Sequence, residues 1–116
     1  MTEIILKGLR VASKKNNRRN FGRVSLPSKA YENFHSLVAE QLYPFKHLDI
    51  TKPFWMRVSY EIKGNYHQDI DNALSSILDC LVDYGVIKDD DLAMDVKITK
   101  KSGFKDWRMV IQIEEL

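Results

Sequence analysis

Residues 69–91 read DIDNALSSILDCLVDYGVIKDDD, a helical pattern placed between two groups of aspartates. Apolar residues form one stripe at about 100° per residue: Ile70, Leu74, Ile77, Leu78 and Leu81. Polar residues occupy the opposite side: Asn72, Ser75, Ser76, Asp79 and Asp83. The pattern predicts an amphipathic helix over 71–85 that ends at Gly85, a residue common just after helix C-termini.

Alternating or β-branched runs predict strands around this helix, over 3–11, 53–63, 92–101 and 107–115. An earlier helix is expected between the cap Ser28 and Pro44, because apolar residues recur there at intervals of three and four. The polar stretches 12–23 and 101–106 are expected to be loops, the second of them a hairpin connection.

The predicted order is β-α-β-α-β-β, a mixed α+β arrangement within the broad α/β class. The connection between residues 53 and 100 is long enough for a right-handed crossover, so its two strands are expected to be parallel within a mixed sheet. The chain has 116 residues, of which 44% are apolar. This length and composition predict a single domain over 1–116 with a substantial core.

Composition narrows the cellular setting and the chemistry. The N-terminal sequence does not match a secretory signal peptide, and no window approaches the roughly 20 apolar residues of a membrane span. We therefore expect a cytoplasmic protein with no membrane partner. Cys80 is the single cysteine, which excludes an internal disulfide and a cysteine-rich zinc site.

Charge is unevenly distributed along the chain, although the net charge is only +2. Seven basic and no acidic residues lie between Lys7 and Arg23, whereas eight aspartates and one lysine lie between Asp69 and Asp95. The early basic segment is a candidate for contacts with nucleic-acid phosphates, and a solvated loop is the alternative. Its candidate DNA-binding residues are Lys14, Lys15, Asn17, Arg18, Arg19 and Arg23.

Whether Asp69 and Asp71 can bind one cation together depends on the backbone conformation between them. In an ideal helix they would point about 200° apart, whereas in an extended chain they would face the same side. A single N-cap explains one of them, and an acidic turn is an alternative explanation for Asp89, Asp90 and Asp91. Sequence spacing leaves open whether the two groups meet.

If they meet, all-aspartate ligation suits a hard cation such as Mg²⁺ or Mn²⁺. Zinc is disfavoured because the three histidines do not lie at ligand spacing with one another or with Cys80. A calcium loop starting at Asp69 is disfavoured too, since it would place Leu74 where glycine is needed and Cys80 at the closing glutamate position.

The block 69–91 resembles the signature of the RusA-type Holliday junction resolvases: Asp-x-Asp-Asn, an amphipathic helix with a further Asp, a Gly, and paired Asp before the next strand. SKKNNRRNFGR, at 13–23, is similar to that family's Asn- and Arg-rich loop. The resemblance implies a small homodimeric endonuclease that makes symmetric nicks in four-way DNA junctions with Mg²⁺ or Mn²⁺, in DNA recombination and repair. It assigns Asp69, Asp71 and Asp90 as essential metal-binding carboxylates, with Asp89 beside them and Asp79 on the helix.

One position departs from the family pattern, which carries a lysine three residues after the Asn, where this chain has Ser75. Such a lysine would stabilise negative charge that develops on the phosphate. Lys63, Lys88 or a residue of the basic segment is a candidate replacement. The departure keeps a second hypothesis open, a junction-binding protein without nuclease activity, and a more remote one, a regulatory or packaging module whose acidic loop binds a protein.

Overall fold

In the computed structural model of the protein, residues 1–12, 18–21, 24–27 and 29–116 are described, and side chains are described outside 13–28. The strands are β1 (Thr2–Lys7), β2 (Arg18–Phe21), β3 (Val24–Pro27), β4 (Phe54–Lys63), β5 (Ala93–Phe104) and β6 (Arg108–Glu115). The helices are α1 (Lys29–Leu42) and α2 (Ile70–Asp83), and two 3₁₀ helices cover Tyr43–Leu48 and Asp90–Leu92.

A mixed four-stranded sheet in the order β1-β6-β4-β5 forms the centre of the fold. Strand β4 pairs parallel with β5, while β6 pairs antiparallel with both β4 and β1. Helix α2 is the connection between the two parallel strands, as a right-handed crossover requires a long intervening element. The predicted α+β fold with two main helices and a mixed sheet is therefore confirmed.

The hairpin predicted at 101–106 is wrong, because β4 lies between β5 and β6 in the sheet. The chain leaves β5 and passes the end of β4, where the Gly64 N–H donates a 2.9 Å hydrogen bond to the Phe104 carbonyl. Alternation identified both strands correctly but carries no information about which neighbour each one pairs with. A short connection was therefore mistaken for a hairpin turn.

The N-terminal elements also differ from expectation. Strand β1 was predicted to run to residue 11 but ends at Lys7, because Gly8 takes a left-handed φ of +71° and turns the chain away. The Tyr60 hydroxyl accepts a 2.9 Å hydrogen bond from the Val11 N–H, which ties the segment after β1 to β4. Within the predicted loop 12–23, residues 18–21 instead pair antiparallel with 24–27. The predicted cap Ser28 lies outside the described residues.

The core lies between the two helices and one face of the sheet. Helix α2 buries the side chains of Ala73, Ser76, Ile77, Cys80 and Leu81. Ser76 was predicted on the polar side but is only 5% exposed, since a residue this small allows close packing of the helix. Burial raises the pKa of the Cys80 thiol to about 12, as expected for an inert buried cysteine.

The two helices contact each other at the C-terminal end of α2. The Tyr84 hydroxyl donates a 3.1 Å hydrogen bond to the His35 carbonyl, and His35 Nε2 lies 3.3 Å from an Asp83 carboxylate oxygen. The far face of the sheet is exposed at Ser59 and Lys97. Among the helices that the described residues form, none has the length and apolar character needed to cross a bilayer.

Candidate active site

The first aspartate pair lies where the chain enters α2. Asp69 is the N-cap, with an extended backbone (φ −74°, ψ 126°), and its Oδ1 accepts a 2.9 Å hydrogen bond from the Asp71 N–H. Asp71 follows in the first helical turn, and both side chains are exposed. Negative charge is favourable there because the first amides of a helix lack partners and carry partial positive charge. The capping interpretation is therefore correct for Asp69, which leaves its second oxygen available to a cation.

The second group, Asp89–Asp91, repeats this arrangement on a shorter scale. Asp89 caps the 3₁₀ helix and accepts a 3.0 Å hydrogen bond from the Asp91 N–H. That backbone donor lowers the pKa of Asp89, whereas the side-chain hydrogen bond to Asp89 raises the pKa of Asp90, and neighbouring negative charges add to the rise. One carboxylate oxygen from each of the three residues lies within 4.8 Å of the others.

The two groups lie along one side of α2 but at different levels. Asp71, Ser75 and Asp79 are exposed and recur every four residues, so they form one line on the helix. The 3₁₀ helix Asp90–Leu92 contacts α2, and the charge of Asp79 adds slightly to the raised pKa of Asp90. Asp71 and Asp79 are separated by a helical rise of about 12 Å.

The predicted ligand set is thus divided. Asp89 and Asp90 belong to the compact three-carboxylate cluster, while Asp69 and Asp71 are not part of it in the described structure. Ser75 lies between the two groups on the exposed line of α2. A lysine at this position, as in the family pattern, would therefore reach toward either group.

Two cations hold the loop that precedes Asp69. Lys100 on β5 donates from Nζ to the Gln68 carbonyl at 2.7 Å. Arg10 donates to the His67 carbonyl at 3.3 Å, and its guanidinium carbon lies 5.1 Å from the centre of the Tyr66 ring and 5.8 Å from the Trp107 ring. Positive charge is thereby brought to the backbone directly before the aspartate pair.

Lys100 was not singled out from the sequence, although a signal for it was present. Val96, Ile98 and Lys100 alternate along β5, so Lys100 belongs to the sheet face that α2 covers. The predicted candidates differ in position: Lys63 ends β4, whereas Lys88 directly precedes Asp89, and its charge helps to lower the pKa of that carboxyl. Tyr66, in the loop before Asp69, is 53% exposed.

The predicted DNA-binding residues are only partly within the described structure. Lys14, Lys15, Asn17 and Arg23 lie outside the described residues. For Arg18 and Arg19 the backbone alone is described, and both belong to β2. Their role in DNA binding stays a prediction.

Clustered carboxylates can hold a hard divalent cation, and a bound cation of this kind can activate phosphate esters toward hydrolysis. Comparison with known protein families matches residues 10–114 to the family described as Endodeoxyribonuclease RusA. Because the match covers most of the chain, this protein belongs to the RusA endodeoxyribonuclease family, and the resemblance found in the aspartate signature is confirmed. No curated protein matched the chain in a separate search.

The cap bond gives Asp69 a structural role that can be separated from metal binding. Asp69→Asn should retain most of the stability, because asparagine caps helices about as well as aspartate, whereas Asp69→Ala should lower the free energy of unfolding by about 1 kcal/mol. Urea unfolding of the two variants measures the difference. Equal losses in both variants would contradict a capping role for the side-chain oxygen.

Proposed function

We propose that the protein is a divalent-metal-dependent endonuclease that resolves four-way DNA junctions by paired nicking, in DNA recombination and repair. The observation that carries the proposal is the exposed set of aspartates along α2 in a chain that belongs to an endodeoxyribonuclease family. The proposed catalytic carboxylates are Asp69 and Asp71 in the first group and Asp90 in the second, with Asp89 as a further metal ligand, so the two groups must approach each other to serve one cation. The protein acts in the cytoplasm.

The donor chemistry fits Mg²⁺, for which Mn²⁺ can substitute. Every proposed ligand is a carboxylate, and hard cations of this size take oxygen ligands, few of them from protein, and keep several waters. The three oxygens within 4.8 Å at Asp89–Asp91 support this, because a cation would relieve the repulsion among these carboxylates. That repulsion adds to the main cause of the raised pKa of Asp90, its hydrogen bond with the Asp89 side chain. When bound, the cation would polarise the phosphodiester and lower the pKa of a water.

The protein binds branched DNA and assembles as a dimer. The early basic segment binds phosphates of the junction arms through Lys14, Lys15, Asn17, Arg18, Arg19 and Arg23. This role is supported by the charge of the segment, which has seven basic residues and no acidic one from Lys7 to Arg23. The protein acts as a homodimer, since a two-fold axis would present two identical sites to two opposed strands.

Lys100 takes over the role of the lysine that the family pattern has at position 75. Its amine donates to the carbonyl of Gln68, the residue before Asp69, so it brings positive charge close to the carboxylate pair. A fixed cation beside the scissile phosphate stabilises charge that develops in the transition state. This assignment favours the nuclease over the junction-binding protein without activity, because the replacement of lysine by Ser75 is then compensated.

The metal site is tested with Asp71→Asn. We expect loss of nicking on a synthetic four-way junction with Mg²⁺ or Mn²⁺, because a ligand charge is removed. Junction affinity should be equal or higher, since less negative charge faces the phosphates. Glu115→Gln at the end of β6 is the matched control and should nick at the wild-type rate. Nicking by Asp71→Asn at that rate would remove Asp71 from the site, and a wild type that binds but never nicks would support the binding-only hypothesis.

The basic segment is tested by replacing Arg18 and Arg19 together with Ala. Binding to all DNA shapes should weaken, and the slope of log affinity against log salt concentration should fall by up to about 2, near one unit for each lost phosphate contact. The control removes two charges from the exposed sheet face, Lys97→Ala with Lys101→Ala. An unchanged slope in the arginine variant would return the segment to the solvated-loop interpretation.

The role of Lys100 is tested by single-turnover nicking. Lys100→Met should lower the rate roughly 100-fold, the size expected for one charged donor of about 3 kcal/mol, with little change in junction affinity. Lys101→Met is the matched control, because Lys101 lies opposite Glu61 in the register of β4 and β5 and belongs to the other face of the sheet.

Rescue separates a catalytic from a structural role. Adding Ser75→Lys to Lys100→Met should restore much of the rate, since the new lysine would lie on the exposed line of α2 between the two aspartate groups. If Lys100 has only a structural role, Lys100→Met lowers thermal stability because the bond to the Gln68 carbonyl is lost. Ser75→Lys would then not restore activity. That result would contradict the assignment.

A further inference from the structure

A cleft of about 410 Å³ adjoins the first aspartate pair, and Asp69 forms part of its wall. It lies between the segment after β1, helix α1 and the start of α2. Apolar side chains line part of it, from Leu9, Val11, Phe34 and Leu37. Its volume is at the lower end of the roughly 300–1,000 Å³ typical of small-molecule sites, so it suits a single planar group better than a duplex.

Three carboxamides line the cleft, those of Asn33, Gln68 and Asn72. Of these carboxamides, that of Gln68 has its Oε1 buried with no hydrogen-bond partner among the described residues. A buried acceptor left unpaired is unfavourable, so rotation of the Gln68 side chain toward a donor on a ligand in the cleft gains affinity. Each carboxamide offers both a donor and an acceptor, which matches a ligand edge that carries both.

The charges at the cleft argue against an anionic occupant. Arg10 is the only cation among the described lining residues, and it already stacks on Tyr66 and bonds to the His67 carbonyl. Asp69 also lines the cleft, so a phosphate would meet negative charge. The occupant is therefore neutral, with apolar faces and a polar edge.

We propose that this cleft receives one nucleobase, extruded from the branch point of the DNA junction. The proposal rests on the proposed function, because branched DNA supplies the base. Bases next to a branch point are the least costly to unstack where pairing is already disturbed. An extruded base is recognised by stacking on apolar surface and by hydrogen bonds to its edge, the two features that this cleft combines.

Because the cleft lies beside Asp69, a captured base influences where the DNA backbone is cleaved. Gln68 and Asn72 flank Asp69 and Asp71 in the chain, so a base held by their carboxamides fixes the backbone near the carboxylates. Asparagine and glutamine distinguish bases by the donors and acceptors on their edges. The cleft thus selects the sequence at which a junction is nicked.

The test uses junctions that carry the fluorescent adenine analogue 2-aminopurine at each branch-point position in turn. Binding is measured with Asp71→Asn in the background, so that no cleavage is needed. Emission should rise at one position when protein is added, because the analogue becomes brighter when it leaves the stack. Asn33→Ala should reduce that rise and weaken junction affinity about tenfold, which corresponds to about 1.4 kcal/mol. Ser36→Ala, at an exposed position of α1 that does not line the cleft, is the control.

An abasic site at the responding position provides the second measurement. It should weaken binding of the parent protein, and Asn33→Ala should add no further loss if both changes remove one contact. Leu37→Ala, which alters the apolar lining, should behave in the same way, and melting curves confirm that the variants fold. Tight binding without an emission change, or losses that add, would overturn the base site alone. Absence of junction binding would overturn the proposed function, and the base site with it.

Discussion

The packing of α2 against the sheet is the interaction on which the rest of the site depends. Ala73, Ile77 and Leu81 are almost completely buried on the inner side of the helix, so its rotation about its own axis is fixed. Burial of large aliphatic side chains stabilises by roughly 1.5–3 kcal/mol each. The opposite side must then face solvent, and it carries Asp71 and Asp79. The acidic surface is in this sense a direct consequence of the core.

The crossover connection determines where the charges lie along the helix. Because β4 and β5 are parallel, α2 runs back across the sheet, and its two ends lie at opposite ends of the strands. Asp69 is therefore placed near the end of β4, where Lys100 reaches the preceding carbonyl, and the Asp89–Asp91 group lies directly before β5. The same topology that separates the acidic groups brings a cation to one of them.

The carboxylates of the two acidic groups are stabilised by different interactions. At Asp69 the unpaired amides of a 14-residue helix stabilise the carboxylate. At Asp89 and Asp90 neighbouring carboxylates share a hydrogen bond, and their pKa values move in opposite directions. Neighbouring carboxylates with shifted pKa values are a common feature of functional sites. Lys100 and Arg10 hold the loop between Gly64 and Asp69. The end of this loop, at Gln68 and Asp69, also lines the neighbouring cleft.

The sequence by itself determined the amphipathic α2, the α+β class, the parallel pair β4 and β5 and the family, because these depend on local periodicity and on a gap-free aspartate pattern. Strand neighbours were beyond it: β6 pairs with β4 and not with β5, since alternation does not encode pairing partners. The burial of Ser76, the bond from Lys100 to Gln68 and the cleft beside Asp69 also required the tertiary structure. Each of these features involves residues that are distant in the chain or displaced on the helix. Their proximity depends on how the helices and strands pack, which local sequence patterns do not encode.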